Sequence, residues 1–213
     1  QRRRVAPPMG LELPLAIERV PGFLAPEEGE ALYRHGCRAA TLGPLVEIGS
    51  YCGRSTVYLG CACRDAGGAL FAVDHHRGSE EHQPGEAFHD PALLDPATGA
   101  VDTFGSFRRT MAGAGLEPFV LPVVAEGTLF ARHFPGPAGL VFIDGGHSLD
   151  AALADYRAWA GKVARGGVLA IHDVYPDPAG GGQAPAAVRR LALDSGLFEE
   201  IDATESLRVL RRL

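Results

Sequence analysis

The sequence has no apolar run long enough to cross a bilayer and no leading segment with the continuous apolar centre that would export a chain. A positive surplus is missing too. Twenty Lys and Arg stand against 26 Asp and Glu, a formal charge of −6, so a surface that neutralises many phosphates, and with it a nucleic-acid substrate, is not expected. Arg2, Arg3 and Arg4 are the local exception and read as a solvated terminus. The four cysteines (Cys37, Cys52, Cys61 and Cys63) form no Cys-x-x-Cys pair, and Cys61 and Cys63 would point in different directions on a helix. Reduced thiols in a cytoplasmic protein are the expectation. There is no internal repeat.

What is present is an ordinary globular composition, 46% hydrophobic and 22% charged, enough to bury a sizeable core in one α/β domain. Residues 1–40 are expected to form an arm and a helix ahead of a main domain over 41–213. Pro26, followed by Glu27, Glu28 and Glu30, opens that helix. Short apolar runs without alternation follow at 45–48, 69–73, 119–124, 140–143 and 167–171, the pattern of parallel strands covered on both faces. Helical patterns lie between them at 54–64, 102–114, 128–133 and 149–163. In the last, Leu149, Leu153, Tyr156, Ala160 and Val163 form an apolar stripe. A helix after Pro185 ends near Gly196, and segments 198–202 and 207–210 read as a terminal hairpin. Repeated βα units predict a doubly wound, Rossmann-like sheet. Residues 75–103, rich in Gly, Pro, His and acids, are too long for a plain connector and read as a lid.

Three constellations carry chemistry. Glu47-Ile48-Gly49-Ser50-Tyr51-Cys52-Gly53-Arg54 closes the first strand: Gly49 permits a sharp turn, and Gly53 would let a ligand approach the backbone. A dinucleotide fingerprint would need glycine where Tyr51 and Arg54 stand, and no Gly-Lys-Ser/Thr ending marks a phosphate loop. Asp74 ends the second strand, where an acid can accept both hydroxyls of a ribose. Phe142-Ile143-Asp144-Gly145-Gly146-His147 and Ile171-His172-Asp173 then bring two strand-end acids, each with a histidine. Asp144, Asp173 and His172 can coordinate a hard divalent cation, Mg²⁺ or, with a histidine ligand, Mn²⁺.

As an ordered set these segments, with Gly166-Gly167 before Ile171-His172-Asp173, resemble class I S-adenosylmethionine-dependent methyltransferases over about residues 40–210. The nearest branch is similar to actinobacterial metal-dependent O-methyltransferases of the macrocin and cephalosporin-cluster type. A narrower similarity, to mycobacterial enzymes that cap methylmannose polysaccharides, points to a methylated mannoside. The resemblance implies a seven-stranded sheet with its last strand antiparallel. It implies that Glu47, Gly49, Ser50 and Gly53 line the methionine end of S-adenosylmethionine, that Asp74 holds the ribose, and that Glu126 lies by the adenine. Asp144, His172 and Asp173 match the branch's metal positions, and Asp144 and His147 are the candidate catalytic residues, His147 as base. The macrocin-type enzymes carry a second acid soon after the position of Asp144, and an acid in place of His172, so the base and the third ligand stay open. The implied partner is a small-molecule or oligosaccharide hydroxyl acceptor, with room for a homodimer. Two alternatives stand beside this reading: a metal-assisted hydrolase on the same scaffold, and a non-catalytic cofactor-binding module. Tyr51, His75, His76, His82 and Tyr175 are candidate wall residues for the acceptor.

Overall fold

A computed structural model describes residues 10–146, 148–177 and 181–213. The Arg2–Arg4 run and His147 lie outside the described residues.

The apolar runs become strands because each side of the sheet has helices to bury against. Strands β1 (Leu45–Ile48), β2 (Leu70–Asp74), β3 (Val120–Val124), β4 (Ala138–Ile143), β5 (Val163–Ile171), β6 (Phe198–Thr204) and β7 (Leu207–Arg212) form one sheet in the order β3-β2-β1-β4-β5-β7-β6. The pairs from β3 through to β5 are parallel, and β7 runs antiparallel to both β5 and β6. The expected seven-stranded, mostly parallel α/β sheet with an antiparallel last strand is therefore what forms.

Helices α1 (Pro26–Ala39), α2 (Arg54–Ala66) and α3 (Phe104–Gly113) cover one face; α4 (Gly127–His133), α5 (Leu149–Trp159) and α6 (Ala184–Asp194) cover the other. Strand alternation sorts the core accordingly. Leu45, Leu140 and Phe142 pack with Leu32 and Leu59, whereas Val46, Val141, Ile143 and Leu169 pack with Trp159 and Val188. Each such side chain contributes about 1.5–3 kcal/mol on burial. The four cysteines are free and buried, three of them packed around the contact of α1 with α2.

Two expectations for the fifth helix need correcting. Its buried face carries Ala152, Asp155, Tyr156 and Trp159, while Leu149 is half exposed. The helix also ends at Trp159, gives way to one 3₁₀ turn over Ala160–Lys162, and Val163 already starts β5. Among the described residues no helix is long and apolar enough to cross a membrane.

The register positions the site. Ile48 aligns with Val73 on one side and Ile143 on the other, and Ile143 aligns with Ile171. Gly49, Asp74, Asp144 and His172 are thus the next residues along four neighbouring strands, at one carboxyl edge. The strand order reverses between β1 and β4, the place where open α/β sheets leave a crevice for ligands.

Candidate active site

A cavity of about 750 Å³ opens over that edge. Its floor is the β1 turn (Gly49, Ser50, Tyr51), and Asp74, Asp144, His172 and Asp173 stand around it.

The turn depends on Gly49. Its φ of +90° is costly for any other residue, and an added Cβ would lie 2.1 Å from the Asp144 carbonyl oxygen. Gly53 also has positive φ (+96°) and begins α2, but its bare side faces Met111 and Phe107 of α3, and it does not line the cavity. Among the described residues, the contacts on that side are packing contacts with α3. Glu47 likewise sits beneath the turn, fully buried, accepting hydrogen bonds from the Ser55 and Thr56 hydroxyls (2.6 Å each). Strand alternation turns it away from the cavity and toward the start of α2. Burial pushes its carboxyl up to about 8, against the two hydroxyls and with the charges of Asp144 and Asp74. Ser50 does line the cavity. Its Oγ is buried and, among the described residues, has no hydrogen-bond partner.

Asp74 faces the cavity while holding the loops on either side of it. The Tyr51 amide donates to Oδ2 (2.8 Å) and the His76 amide to Oδ1 (2.7 Å). Each oxygen keeps a lone pair for a ligand hydroxyl. Glu126 is the N-cap of α4 at the far rim, largely exposed, 4.0 Å from His75 Nε2.

Asp144, His172 and Asp173 come together. One ligand atom from each lies within 4.8 Å of the others. His172 is buried, with Nδ1 3.0 Å from Asp144 Oδ1 and 3.4 Å from Asp173 Oδ2. On the other side Nε2 is 2.9 Å from Glu28 Oε2. Burial opposes charge on this imidazole, but Asp144, Asp173 and Glu28 outweigh it and hold His172 well above the usual histidine range. Asp173 has a φ of +56°, unusual for a residue with a side chain, and accepts from the Tyr175 hydroxyl (2.9 Å).

The walls come from the arm and the lid. Phe23, Tyr51, His82 and Phe88 form a ring cluster at the mouth: Tyr51 and His82 stack with centroids 4.8 Å apart, and Phe23 meets Phe88 edge-on at 5.0 Å. Of the expected wall residues, Tyr51, His75, His82 and Tyr175 line the cavity. His76 does not. Its ring is buried beside Phe104 and Phe107, with Nδ1 bonded to Thr103 Oγ1 (2.8 Å).

Three contributors escaped sequence reasoning. Arg54 reaches back to the Val20 carbonyl (2.8 Å), fastening the arm whose residues 21–24 form one wall. Asp155 of α5 lines the cavity next to Gly127 and Gly145, and burial, with Glu126 nearby, pushes it up to about 6. Its signal was an acid inside the apolar spacing of Ala152 and Trp159. Glu28 was taken as a first-turn acid facing the helix dipole; nothing in its local spacing marks a partner 144 residues away.

A family model described as a methyltransferase domain matches residues 46–174, more than half of the chain. The protein belongs to this methyltransferase-domain family. The matched span holds Gly49, Asp74, Asp144, His172 and Asp173, and leaves α1 with Glu28 outside. Solved structures share the methyltransferase fold. The O-methyltransferase NovP superposes with a TM-score of 0.66 at 16% identity, covering 87% of this chain and 79% of NovP. An O-methyltransferase from Bacillus cereus in complex with SAH gives 0.60 at 15% identity, covering 92% of this chain and 86% of the other. Cofactor-bound Rv0187 from MTB gives 0.58 at 18% identity, covering 91% and 84%. At these identities the likeness is one of fold.

Proposed function

We propose that the protein transfers a methyl group from S-adenosylmethionine to a hydroxyl oxygen of a sugar-like or other small acceptor, with a divalent cation at Asp144, His172 and Asp173. The observation that carries this reading is the placement of Asp74 and the Asp144–His172–Asp173 group around one cavity at the strand-order reversal. The named relatives, two of them O-methyltransferases and one bound to SAH, support the choice of cofactor and of oxygen as the target.

The residues fit both groups. For the cofactor, the cavity volume is in the range of small-molecule sites, Asp74 can accept from a ribose, and Ser50 Oγ, without a partner among the described residues, can meet a polar terminus. For the cation, two carboxylates and one imidazole form an oxygen-rich donor set compatible with Mg²⁺ or Mn²⁺. When bound, the sulfonium supplies an activated methyl and its own leaving group, and the cation supplies a Lewis acid that lowers a hydroxyl pKa.

The chain's own work is positioning. The Gly49 turn and Asp74 hold the donor at the sheet edge, and the carboxylates of Asp144 and Asp173 fix where the acceptor oxygen stands. Phe23, Tyr51, His82 and Phe88 offer ring faces to an acceptor with an apolar side, such as a sugar; a methylated mannoside is the specific acceptor we favour. The arm and lid keep water from the reacting atoms. His147, flanked by cavity-lining Gly146 and Ser148, is the proposed base for the acceptor proton. The family match gives no support to the hydrolase alternative. A screen of sugar and phenolic acceptors with labelled cofactor tests the reading: label recovered as a methyl ether supports it, whereas cofactor binding without transfer to any acceptor returns the non-catalytic module.

A further inference from the structure

Glu28 has no part in the chemistry above, yet it is among the most constrained carboxylates in the protein. It lies in the first turn of α1 and is 2% exposed. Oε1 accepts from the Ser206 amide (2.8 Å), the Ser206 hydroxyl (2.8 Å) and the Leu207 amide (3.1 Å), all at the β6–β7 turn. Oε2 accepts from the Ala25 amide (2.9 Å) and stands 2.9 Å from His172 Nε2. Four fixed donors thus orient the group, and one oxygen remains aimed at the imidazole. The opposite ring nitrogen faces Asp144 and Asp173.

We propose that Glu28 is the positioning residue of the cation site, fixing His172 so that Nδ1 faces the place where a cation would be shared with Asp144 and Asp173. This rests on reading that trio as a cation site. A neutral imidazole carries one proton and one lone pair, on different nitrogens. With carboxylates on both sides, both ring nitrogens donate as the imidazole stands. A cation beside Asp144 and Asp173 would displace the Nδ1 proton and make Nδ1 the ligand atom, while Glu28, which can only accept, keeps the proton on Nε2. Carboxylate partners behind a ligating histidine act in this way in metal sites generally, setting both tautomer and ring angle. Here the partner comes from outside the matched family span, on the helix that also fills the core against α2.

The substitution Glu28→Gln makes a sharp test because it is nearly isosteric. Its single carbonyl oxygen is claimed by the three donors at Ser206 and Leu207, which leaves the amide NH₂ facing Nε2 and costs the bond from the Ala25 amide. That group can only donate there, so the proton moves to Nδ1, where the cation needs a lone pair. Mn²⁺ binding to the 213-residue chain is measured by calorimetry for the natural sequence, Glu28→Gln and Asp144→Asn, with S-adenosylhomocysteine affinity and near-UV circular dichroism as fold controls. The expected result is a loss of about 10–100-fold in Mn²⁺ affinity in Glu28→Gln with cofactor affinity retained. Equal Mn²⁺ affinity in Glu28→Gln, while Asp144→Asn loses it, overturns the role of Glu28 and leaves the cation site standing. No Mn²⁺ binding to the natural sequence overturns both. If Glu28→Gln does not fold, ¹⁵N-histidine spectra of the Mg²⁺-loaded natural protein decide: a proton on Nε2 of His172 is expected, and a proton on Nδ1 overturns the proposal.

Discussion

The Tyr51 amide donates to Asp74 Oδ2 at 2.8 Å, so the acid proposed to hold a ribose also holds the turn beneath it. Tyr51 needs that support, because its φ of +47° is a left-handed conformation that a residue with a side chain adopts at a cost. Two substitutions separate the two roles. Asp74→Ala removes the ribose contacts and the turn's anchor; at about 1.5–3 kcal/mol for each hydrogen bond to a charged acceptor, S-adenosylhomocysteine affinity should fall by at least tenfold. Asp74→Asn keeps an oxygen for the Tyr51 amide and should lose less. Calorimetry on folded variants checks both, and unchanged affinity in Asp74→Ala removes this residue from the cofactor site.

Glu47 makes stability depend on pH in an uncommon direction for a carboxyl group. Unfolded, it titrates near 4.5; folded, burial moves it to about 8. Between those values the folded state keeps a proton that the unfolded state has released, so this group lowers stability as pH rises from 4.5 to 8 and adds no further slope above. Glu47→Gln keeps the neutral form and a polar partner for the Ser55 and Thr56 hydroxyls. Its melting temperature should decline less than that of the natural sequence between pH 5 and 8, at about 2–4 °C for each kcal/mol in a chain of this size. Parallel melting curves across that window would show that Glu47 titrates normally.

His147 as general base gives a kinetic signature. His147→Ala should lower turnover by about 10²–10⁴-fold and leave cofactor affinity intact. The acidic limb of the pH–rate profile should vanish with the imidazole. Persistence of that limb, or recovery of the rate with excess cation, assigns His147 another role.

Much of this site was legible because its main residues sit one step past apolar strands. Ile48-Gly49, Val73-Asp74, Ile143-Asp144 and Ile171-His172 are local signals, and a parallel sheet brings such strand ends to one edge without further information. Glu47 and Gly53 were nearby for the same reason, but side-chain direction separates them from Gly49 and Ser50: one points under α2 and the other packs on α3. Of the expected α5 stripe, Leu153, Tyr156, Ala160 and Val163 do pack on the core; only Leu149 was misplaced, because it suits a core as well as Ala152 does by composition and only packing around Trp159 chooses between them. Glu28 and Arg54 were not legible as site residues, since each acts on a segment far away in sequence; Asp155 showed only as an acid inside an apolar spacing. A first-turn acid and a helix-start arginine look the same on paper whether they face water or a partner.

Metal dependence tests the account most directly. On one sample whose metal content is verified, turnover with labelled S-adenosylmethionine and affinity for S-adenosylhomocysteine are measured before and after exhaustive chelation. The account predicts that turnover disappears, returns on adding Mg²⁺ or Mn²⁺, and that cofactor affinity stays nearly constant, because Asp144, His172 and Asp173 serve the acceptor and Asp74 serves the cofactor. Full turnover in the metal-free protein would contradict it and leave the three residues with a structural or acid–base role.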